Sequence, residues 1–211
     1  MRRFEWLVLA TAVMTVSGCA LLPTFGAKDD SREQIYTLDP MIRDDVASDT
    51  VCQSLEVGDA FGAPGFRTSR MAYSTAPFEI DYFAYARWAD AVPRLLRQPL
   101  HRAFASHRGF GDVITAPALA PTRFRVEVND VRLIQRFESR DATQSRVEFD
   151  ANVRVFSVNP NRVLATQQFT LTRAASGDPA SGVEAANRLV SDWIREVVSF
   201  TYDACRSSEV S

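Results

Sequence analysis

The stretch over residues 78–104 joins a strand pattern to a helix pattern, and the rest of the chain must pack against it. Bulky apolar residues alternate with charged ones over residues 78–87, which predicts a β-strand. Phe83 and Tyr85 place large side chains on the second face as well, as in an inner strand covered on both sides. After Trp88 the spacing becomes helical, with apolar residues at Leu96, Leu100, Ala103 and Phe104. A strand that leads directly into a helix predicts the core unit of an α/β domain.

Two prolines affect how this helix begins. Pro93 suits a first helical position, whereas Pro99 would remove a hydrogen bond inside the helix. We expect one kinked helix that starts at Pro93, with a turn and a helix starting near Pro99 as the alternative. His101 and His107 are six residues apart and fall on different faces, so we expect surface or edge residues rather than metal ligands.

Shorter β segments lie on either side of this unit. Residues 51–57 predict a strand, and residues 58–65 form a Gly- and Pro-rich stretch that lacks phosphate-binding spacing and predicts a plain turn. Phe61 and Phe66 flank that turn, and we expect both in the core, with contact residues as the alternative. Residues 70–73 and 110–114 predict two further short strands.

The clearest strand pattern lies between residues 123 and 172. Apolar residues alternate strictly with polar ones at Val147, Phe149, Ala151, Val153 and Val155. A phase slip at Asn129 and Asp130 predicts a β-bulge in the preceding strand. The turn over residues 159–161 leads into a returning strand, so the segment predicts a three-stranded antiparallel meander.

A second helix follows the meander. Ser181 and Glu184 have the spacing of a capping box at its start. An apolar stripe then recurs at helical spacing, at Val183, Ala186, Val190, Trp193, Ile194, Val197 and Val198. We expect this helix to lie on the sheet, with a partner-helix face as the alternative. Together the elements predict a single α/β domain, in which two main helices pack on a sheet that contains the antiparallel meander.

The N-terminus reads as a targeting segment. Arg2 and Arg3 form a positive region, and residues 6–16 form an apolar run about half as long as the ~20 residues of a membrane-spanning helix. The residues that follow, Val16-Ser17-Gly18-Cys19, resemble a bacterial lipobox, in which the cysteine is lipidated and becomes the new N-terminus. An ordinary secretory signal with a chance cysteine, or an uncleaved anchor, is the alternative.

The lipobox divides the chain into three parts. Residues 1–18 are a lipoprotein signal peptide, residues 19–33 a tether that mixes Pro, Gly and charges, and residues 34–206 the folded domain. A disordered leader without a spacing role is the alternative for the tether. Ala20 follows the lipidated cysteine, and by resemblance to Gram-negative lipoproteins the absence of Asp there favours the outer membrane.

Cys52 and Cys205 are the two cysteines that remain in the 211-residue chain. The lipobox places them outside the cytosol, where disulfides persist, so we expect one bridge between them. In the chain-entropy model, closing so long a loop is worth about 5 kcal/mol. Cys205, expected just past the last helix, would pin that helix towards the first strand. Two buried or reactive thiols are the alternative.

The sequence contains no recognisable motif for catalysis or metal binding. The formal net charge of −2 becomes −3 once residues 1–18, which carry +1, are removed, and the dispersed arginines argue against a nucleic-acid surface. No GxSxG, HExxH or CxxC pattern occurs, and a chain with two histidines offers few catalytic or metal-binding combinations. We therefore expect a non-enzymatic protein with no catalytic residues, cofactor or metal, although a triad assembled in space is an alternative.

The order of features resembles one family. A lipobox is followed by a YTLDP segment at residues 36–40, an aromatic strand that ends in Arg87-Trp88, and the helix that contains Pro93 and Leu96. Phe110 and Val113, the long meander, and Gly182 before the helix with Trp193 complete the order. In this order the chain resembles the ABC-type transport auxiliary lipoproteins, over residues 16–200.

The resemblance implies both a fold and a role. The fold would be α/β, a mixed, largely antiparallel sheet with two main helices packed on it, similar to the anticodon-binding or TolB N-terminal architecture. The role would be that of an outer-membrane lipoprotein that faces the periplasm and docks an MCE-domain protein and its ABC transporter, which move lipids between membranes. A ring of several copies is one arrangement of such a subunit. A scaffold or activator of another envelope machine, such as peptidoglycan synthesis, and a lipid-carrying module are the competing hypotheses.

Overall fold

The computed structural model describes residues 32–42, 49–117 and 120–209. These residues form eight strands and two helices. In chain order the elements are β1 (Gln34–Tyr36), β2 (Cys52–Gly62), β3 (Arg70–Ser74), β4 (Asp81–Trp88), α1 (Val92–Ser106), β5 (Phe110–Thr115), β6 (Phe124–Phe137), β7 (Gln144–Ser157), β8 (Arg162–Ser176) and α2 (Pro179–Glu209). The signal segment, Cys19 and the tether up to residue 31 lie outside the described residues.

Strand β6 organises a single mixed sheet. It pairs in parallel with β2 over its first half and with β3 near its end, and it pairs antiparallel with β7. The path β1-β4-β3-β6-β2-β5 forms one part of the sheet, and β7 and β8 extend it from β6. Four of the seven pairings among the described strands are parallel, whereas the longest two, β6–β7 and β7–β8, are antiparallel. The predicted fold class, a mixed sheet with two helices, is confirmed.

The predicted meander corresponds to β6, β7 and β8. The apolar face of β7 is buried, and Phe149 on that face contacts Trp193 of α2 with ring centroids 4.9 Å apart. The predicted bulge in β6 is present, since the register with β7 shifts between Asn129 and Arg132. Asp130 lies inside this shift with a φ of 54°, a left-handed conformation that Asp tolerates better than most residues. The alternation in the sequence therefore places α2 on the β7 face of the sheet.

Helix α1 runs as one helix through Pro99, as predicted. It begins after Ala91 with a proline in its first turn, where no backbone hydrogen bond is lost. Leu96, Leu100 and Phe104 are buried on one face, in agreement with the predicted stripe. Phe104 also contacts Phe110 of β5, with ring centroids 5.0 Å apart. This contact packs α1, the helix of the stretch over residues 78–104 that the sequence analysis placed at the centre of the fold, against β5.

Several predicted boundaries on the N-terminal side of the sheet are wrong. β4 begins at Asp81, so Phe78 and Ile80 lie in the preceding turn and are exposed, and Tyr85 is also 57% exposed rather than covered. β2 continues to Gly62 through most of the predicted turn because its pairing with β6 extends that far. Phe61 consequently lies at a sheet position that faces solvent and is 58% exposed, not in the core.

The second helix also differs from its prediction. α2 begins at Pro179, and Asp178 accepts a hydrogen bond from the Ser181 amide, so Ser181 is inside the helix and no capping box forms there. The helix continues to Glu209, so Cys205 lies within it rather than past its end. His107, expected at the surface, is buried against Phe110 and Tyr202 just after α1.

Candidate docking surface

The structure brings together two of the three predicted site residues. Cys52 of β2 and Cys205 of α2 are joined by a disulfide, with Cα atoms 5.6 Å apart, and both are fully buried. The bridge attaches the C-terminal part of α2 to the first residue of β2. Cys19, the predicted lipidation site, lies outside the described residues.

The described residues offer few groups suited to catalysis or metal binding. Among residues 32–42, 49–117 and 120–209, no three His, Cys, Asp or Glu side chains are grouped so that they could hold a metal ion. His101 lies 3.3 Å from the Val113 carbonyl oxygen, and His107 Nδ1 accepts a hydrogen bond from the Gly109 amide, so both rings are engaged with local backbone. No helix in this part of the chain is long and apolar enough to span a bilayer.

The feature that best suits the binding of a partner strand is the free edge of β8. Within the described part of the chain, this strand of 15 residues pairs with β7 along one edge and with no strand along the other. Residues 163–172, VLATQQFTLT, carry no charge and no proline. Edge strands are usually protected by charges, prolines or short length, because an open edge is a template for another strand. β8 has none of these protections over that stretch.

The other two edges of the sheet are poorer templates. β1 has three residues, and β5 has six, including Gly111 and the exposed Asp112. A partner strand would find only a few backbone groups there. An extended segment could instead form a continuous ladder along β8, with main-chain hydrogen bonds for affinity and alternate side chains for specificity.

A charged cluster lies where β8 meets α2. Arg173 of β8 and Arg195 of α2 both bind the carboxylate of Asp192, at 2.7 and 2.6 Å. Partial burial raises the pKa of Asp192, but the hydrogen bonds from Arg195 and Arg173 outweigh it and hold the pKa below its usual value of 3.8. A groove of about 310 Å³ adjoins the cluster, and Met41 and Arg188 also line it. The β8 end of the domain is therefore uncharged along residues 163–172 and basic at its rim.

The sequence analysis did not find this edge. Which strand of a meander is left unpaired depends on where the other strands join the sheet, and sequence patterns do not determine that. The one signal that was available is the uncharged run over residues 163–172, since the two preceding strands carry charges on their exposed faces.

Comparison with known proteins identifies a family. The family model of the ABC-type transport auxiliary lipoprotein component matches residues 36–198, which include α1, strands β2 to β8 and α2 as far as residue 198. A search of curated proteins finds no significant match.

Solved structures share the fold at low sequence identity. The crystal structure of XCC0632 from Xanthomonas campestris, described as a DUF330 protein, aligns with a TM-score of 0.76 and 19% identity, over 84% of this chain and 99% of that one. A second structure, titled only as an uncharacterized protein, aligns with a TM-score of 0.55 and 14% identity, over 82% of this chain and 98% of that one. At these identities the likeness shows the fold alone.

Proposed function

This chain belongs to the family of ABC-type transport auxiliary lipoprotein components, and we propose that it is the membrane-anchored docking subunit of an intermembrane lipid transport system. In this role it performs no chemistry of its own. It holds the periplasmic end of an MCE-domain protein, which is served by an ABC transporter, at the outer membrane. The observation that carries the proposal is the free edge of β8, a long and uncharged template for a partner strand.

The anchor in this proposal is Cys19. Cleavage after residue 18 and acylation of Cys19 would give a chain attached by several acyl chains, and multiple chains give stable anchoring where one chain gives only marginal binding. Ala20, in place of Asp, supports sorting to the outer membrane. The tether over residues 19–33 would separate the folded domain from the bilayer surface.

The occupant that we assign to the β8 edge is an extended segment of the MCE-domain protein. A second copy of this chain fits less well. Antiparallel pairing of two copies centred on Gln167 and Gln168 would bring the arginines near the two ends, Arg162 and Arg173, together across the interface. Like charges opposite one another destabilise a strand pair. A ring of copies, if it forms, would then use surfaces other than a β8–β8 pair.

The two competing functions predict different surfaces. A lipid-carrying module needs a largely apolar cavity that encloses the acyl chains. The grooves among the described residues instead mix apolar side chains with arginines and carboxylates, as in the groove of about 810 Å³ that Asp59, Arg67 and Arg97 help to line. This composition supports a docking subunit. A scaffold for peptidoglycan synthesis could use the same edge strand, so the identity of the partner must distinguish the two.

A pull-down from crosslinked envelopes tests the partner. The lipidated protein is purified after crosslinking, and mass spectrometry identifies the proteins that accompany it. We expect an MCE-domain protein to dominate, together with components of its ABC transporter. If peptidoglycan synthases dominate, or if no MCE-domain protein is recovered, the proposed function is wrong for this chain.

Labelling tests the anchor separately. Cells fed labelled palmitate should produce a labelled protein that fractionates with the outer membrane on a density gradient. The Cys19→Ala variant should lose the label and remain unprocessed. An unlabelled wild-type protein would contradict the anchor and leave the partner to be judged by the pull-down alone.

A further inference from the structure

Phe78 combines two features that are rarely found together. Its side chain is completely exposed, at 107% of the reference area, although Phe is among the most apolar residues. Its φ is 67°, in the left-handed region, where a bulky residue is a genuine outlier. Gly or Asn would satisfy this backbone at lower cost. A phenylalanine that is both strained and unburied stabilises nothing in this domain, and such strain is typical of functional positions.

The surrounding turn presents Phe78 on a fixed base. We call residues 75–80, which join β3 to β4, the Phe78 turn. On its β3 side, the Ser74 hydroxyl donates to the Ala76 carbonyl at 2.7 Å. On its β4 side, the Tyr82 hydroxyl donates to the Gly65 carbonyl at 2.9 Å, and Arg70 lies over the Tyr82 ring at 3.9 Å. Both ends of the turn are therefore held while its apolar tip projects into solvent.

The direction of β1 relates this turn to the N-terminal side of the domain. β1 pairs in parallel with β4, with Gln34 beside Ala86. Because the two strands run the same way, the N-terminal direction of β1 points to the end at which β4 begins. The Phe78 turn lies at that end, directly before Asp81. The N-terminal end of β1 therefore faces the end of the sheet that carries the Phe78 turn.

The length of the tether is compatible with contact between the Phe78 turn and the bilayer. The step from Ala86 back to Asp81 covers about 17 Å of strand. The chain between Cys19 and Gln34 has 15 peptide steps and can span up to about 54 Å at ~3.6 Å per residue. The tether is thus long enough for the Phe78 turn to reach the bilayer while Cys19 is anchored in it.

We propose that the Phe78 turn is a second membrane contact, which inserts Phe78 and Pro77 at the boundary between lipid headgroups and acyl chains. The proposal rests on the proposed lipid anchor at Cys19. Glu79 and Asp81 follow Phe78 and are exposed. Their carboxylates limit the insertion to Pro77 and the Phe78 ring, and they suit the ammonium group of phosphatidylethanolamine. With two attachment points, the domain has a defined orientation on the membrane.

Tryptophan fluorescence tests the contact in the mature lipidated protein, residues 19–211, from which the proposed cleavage has removed Trp6. The Phe78→Trp variant is reconstituted into vesicles of phosphatidylethanolamine with a minor share of phosphatidylglycerol, prepared with and without acyl-chain-brominated lipid. Trp88 and Trp193 are 3% and 0% exposed, so bromine in the bilayer does not reach them. We expect brominated lipid to quench the added tryptophan by at least about twofold and to leave wild-type fluorescence unchanged.

Val163 provides the matched control. It is exposed to a similar degree as other surface apolar residues, at 53%, and pairs with Phe156 near the start of β8. Phe156 lies ten residues along β7 from Arg146, a distance of about 33 Å. Arg146 pairs with β6 at the end of β6 that is next to the Phe78 turn. The Val163→Trp variant should not be quenched.

The possible outcomes distinguish failure of the proposed Phe78 turn contact from failure of the proposed Cys19 anchor. Flotation first shows whether the protein is on the vesicles. Protein that floats but leaves the added tryptophan of Phe78→Trp unquenched overturns the contact and keeps the anchor. Protein that does not float overturns both. Quenching of Val163→Trp to the same extent overturns the contact too, because the domain would then lie on the bilayer without a preferred end.

Discussion

Cys52 and Cys205 lie 153 residues apart in the sequence, yet their Cα atoms are 5.6 Å apart and a disulfide joins them. Cys52 is the first residue of β2, and Cys205 lies four residues before the C-terminal end of α2 at Glu209. β2 and α2 otherwise share few contacts, because the main support of α2 is the β7–β8 part of the sheet. The bridge therefore links β2 covalently to α2, a helix that packs mainly on other strands.

Removing this bridge should destabilise the domain. The Cys52→Ala/Cys205→Ala variant is expected to lose about 2–5 kcal/mol in the free energy of unfolding, because its unfolded chain gains conformational freedom. Urea denaturation of the variant, compared with oxidised and with reduced wild-type protein, measures the change. Equal midpoints for oxidised and reduced wild type would contradict a stabilising role for the bridge.

The contact between Phe149 and Trp193 should be a main source of core stability. Trp193 is fully buried, and its ring lies 4.9 Å from that of Phe149. Trp193→Ala should cost about 3–5 kcal/mol, as expected for the loss of a large buried aromatic side chain. Val163→Ala, at a position 53% exposed, should change stability by less than about 0.5 kcal/mol. Similar losses for the two variants in urea denaturation would contradict the packing of α2 on β7.

Glu148 should make stability depend on acid pH. Partial burial raises its pKa, but the hydrogen bonds from Arg146 and Arg136 outweigh it and hold the pKa below its usual value of 4.5. The unfolded state then binds the proton more readily, so the stabilisation is present above about pH 4.5 and is lost as the pH falls through the lowered pKa.

The Glu148→Gln variant tests this linkage. It should be less stable than wild type by about 1 kcal/mol at neutral pH, since a partly exposed charged hydrogen bond is worth less than a buried one. The difference should shrink as the pH falls below 4.5, where wild-type Glu148 also becomes neutral. Denaturation curves over this range measure it. A difference that stays constant down to acid pH would show that the carboxylate charge is not responsible.

The backbone at Phe78 should be strained. Phe78→Gly and Phe78→Ala both remove the exposed ring, but only the glycine variant removes the Cβ atom that disfavours a φ of 67°. The glycine variant should therefore be more stable than the alanine variant by about 0.5–1 kcal/mol, after the greater chain entropy of glycine is counted. Thermal denaturation of the pair measures the difference. An alanine variant as stable as the glycine variant would mean that the turn relaxes without cost.

The periodic parts of the fold could be predicted from sequence. The alternation at Val147 to Val155 and the helical stripe through Trp193 specify both the element and its buried face, because one face of each must leave water. Boundaries set by pairing could not be predicted in this way. β2 extends to Gly62 because β6 lies beside it, and β4 begins only at Asp81 because Tyr73 pairs with that residue.

The candidate site was predictable only in part. The cysteine count and the lipobox were enough to predict the bridge between Cys52 and Cys205. The free edge of β8 follows from the order of strands in the sheet, and the exposure of Phe78 follows from the path of a single turn. Neither leaves a periodic pattern in the sequence. The sequence analysis therefore placed Phe78 in a buried strand.

The measurement that tests the account most directly is site-specific photo-crosslinking from the edge of β8. A photoreactive benzoylphenylalanine replaces the exposed Gln167 in cells, and a matched control replaces the exposed Asp112 on the β5 edge. We predict that Gln167 crosslinks to an MCE-domain protein on irradiation and that Asp112 does not. Crosslinks from Gln167 to copies of this chain alone, or to the MCE-domain protein equally from both positions, would contradict β8 as the docking edge.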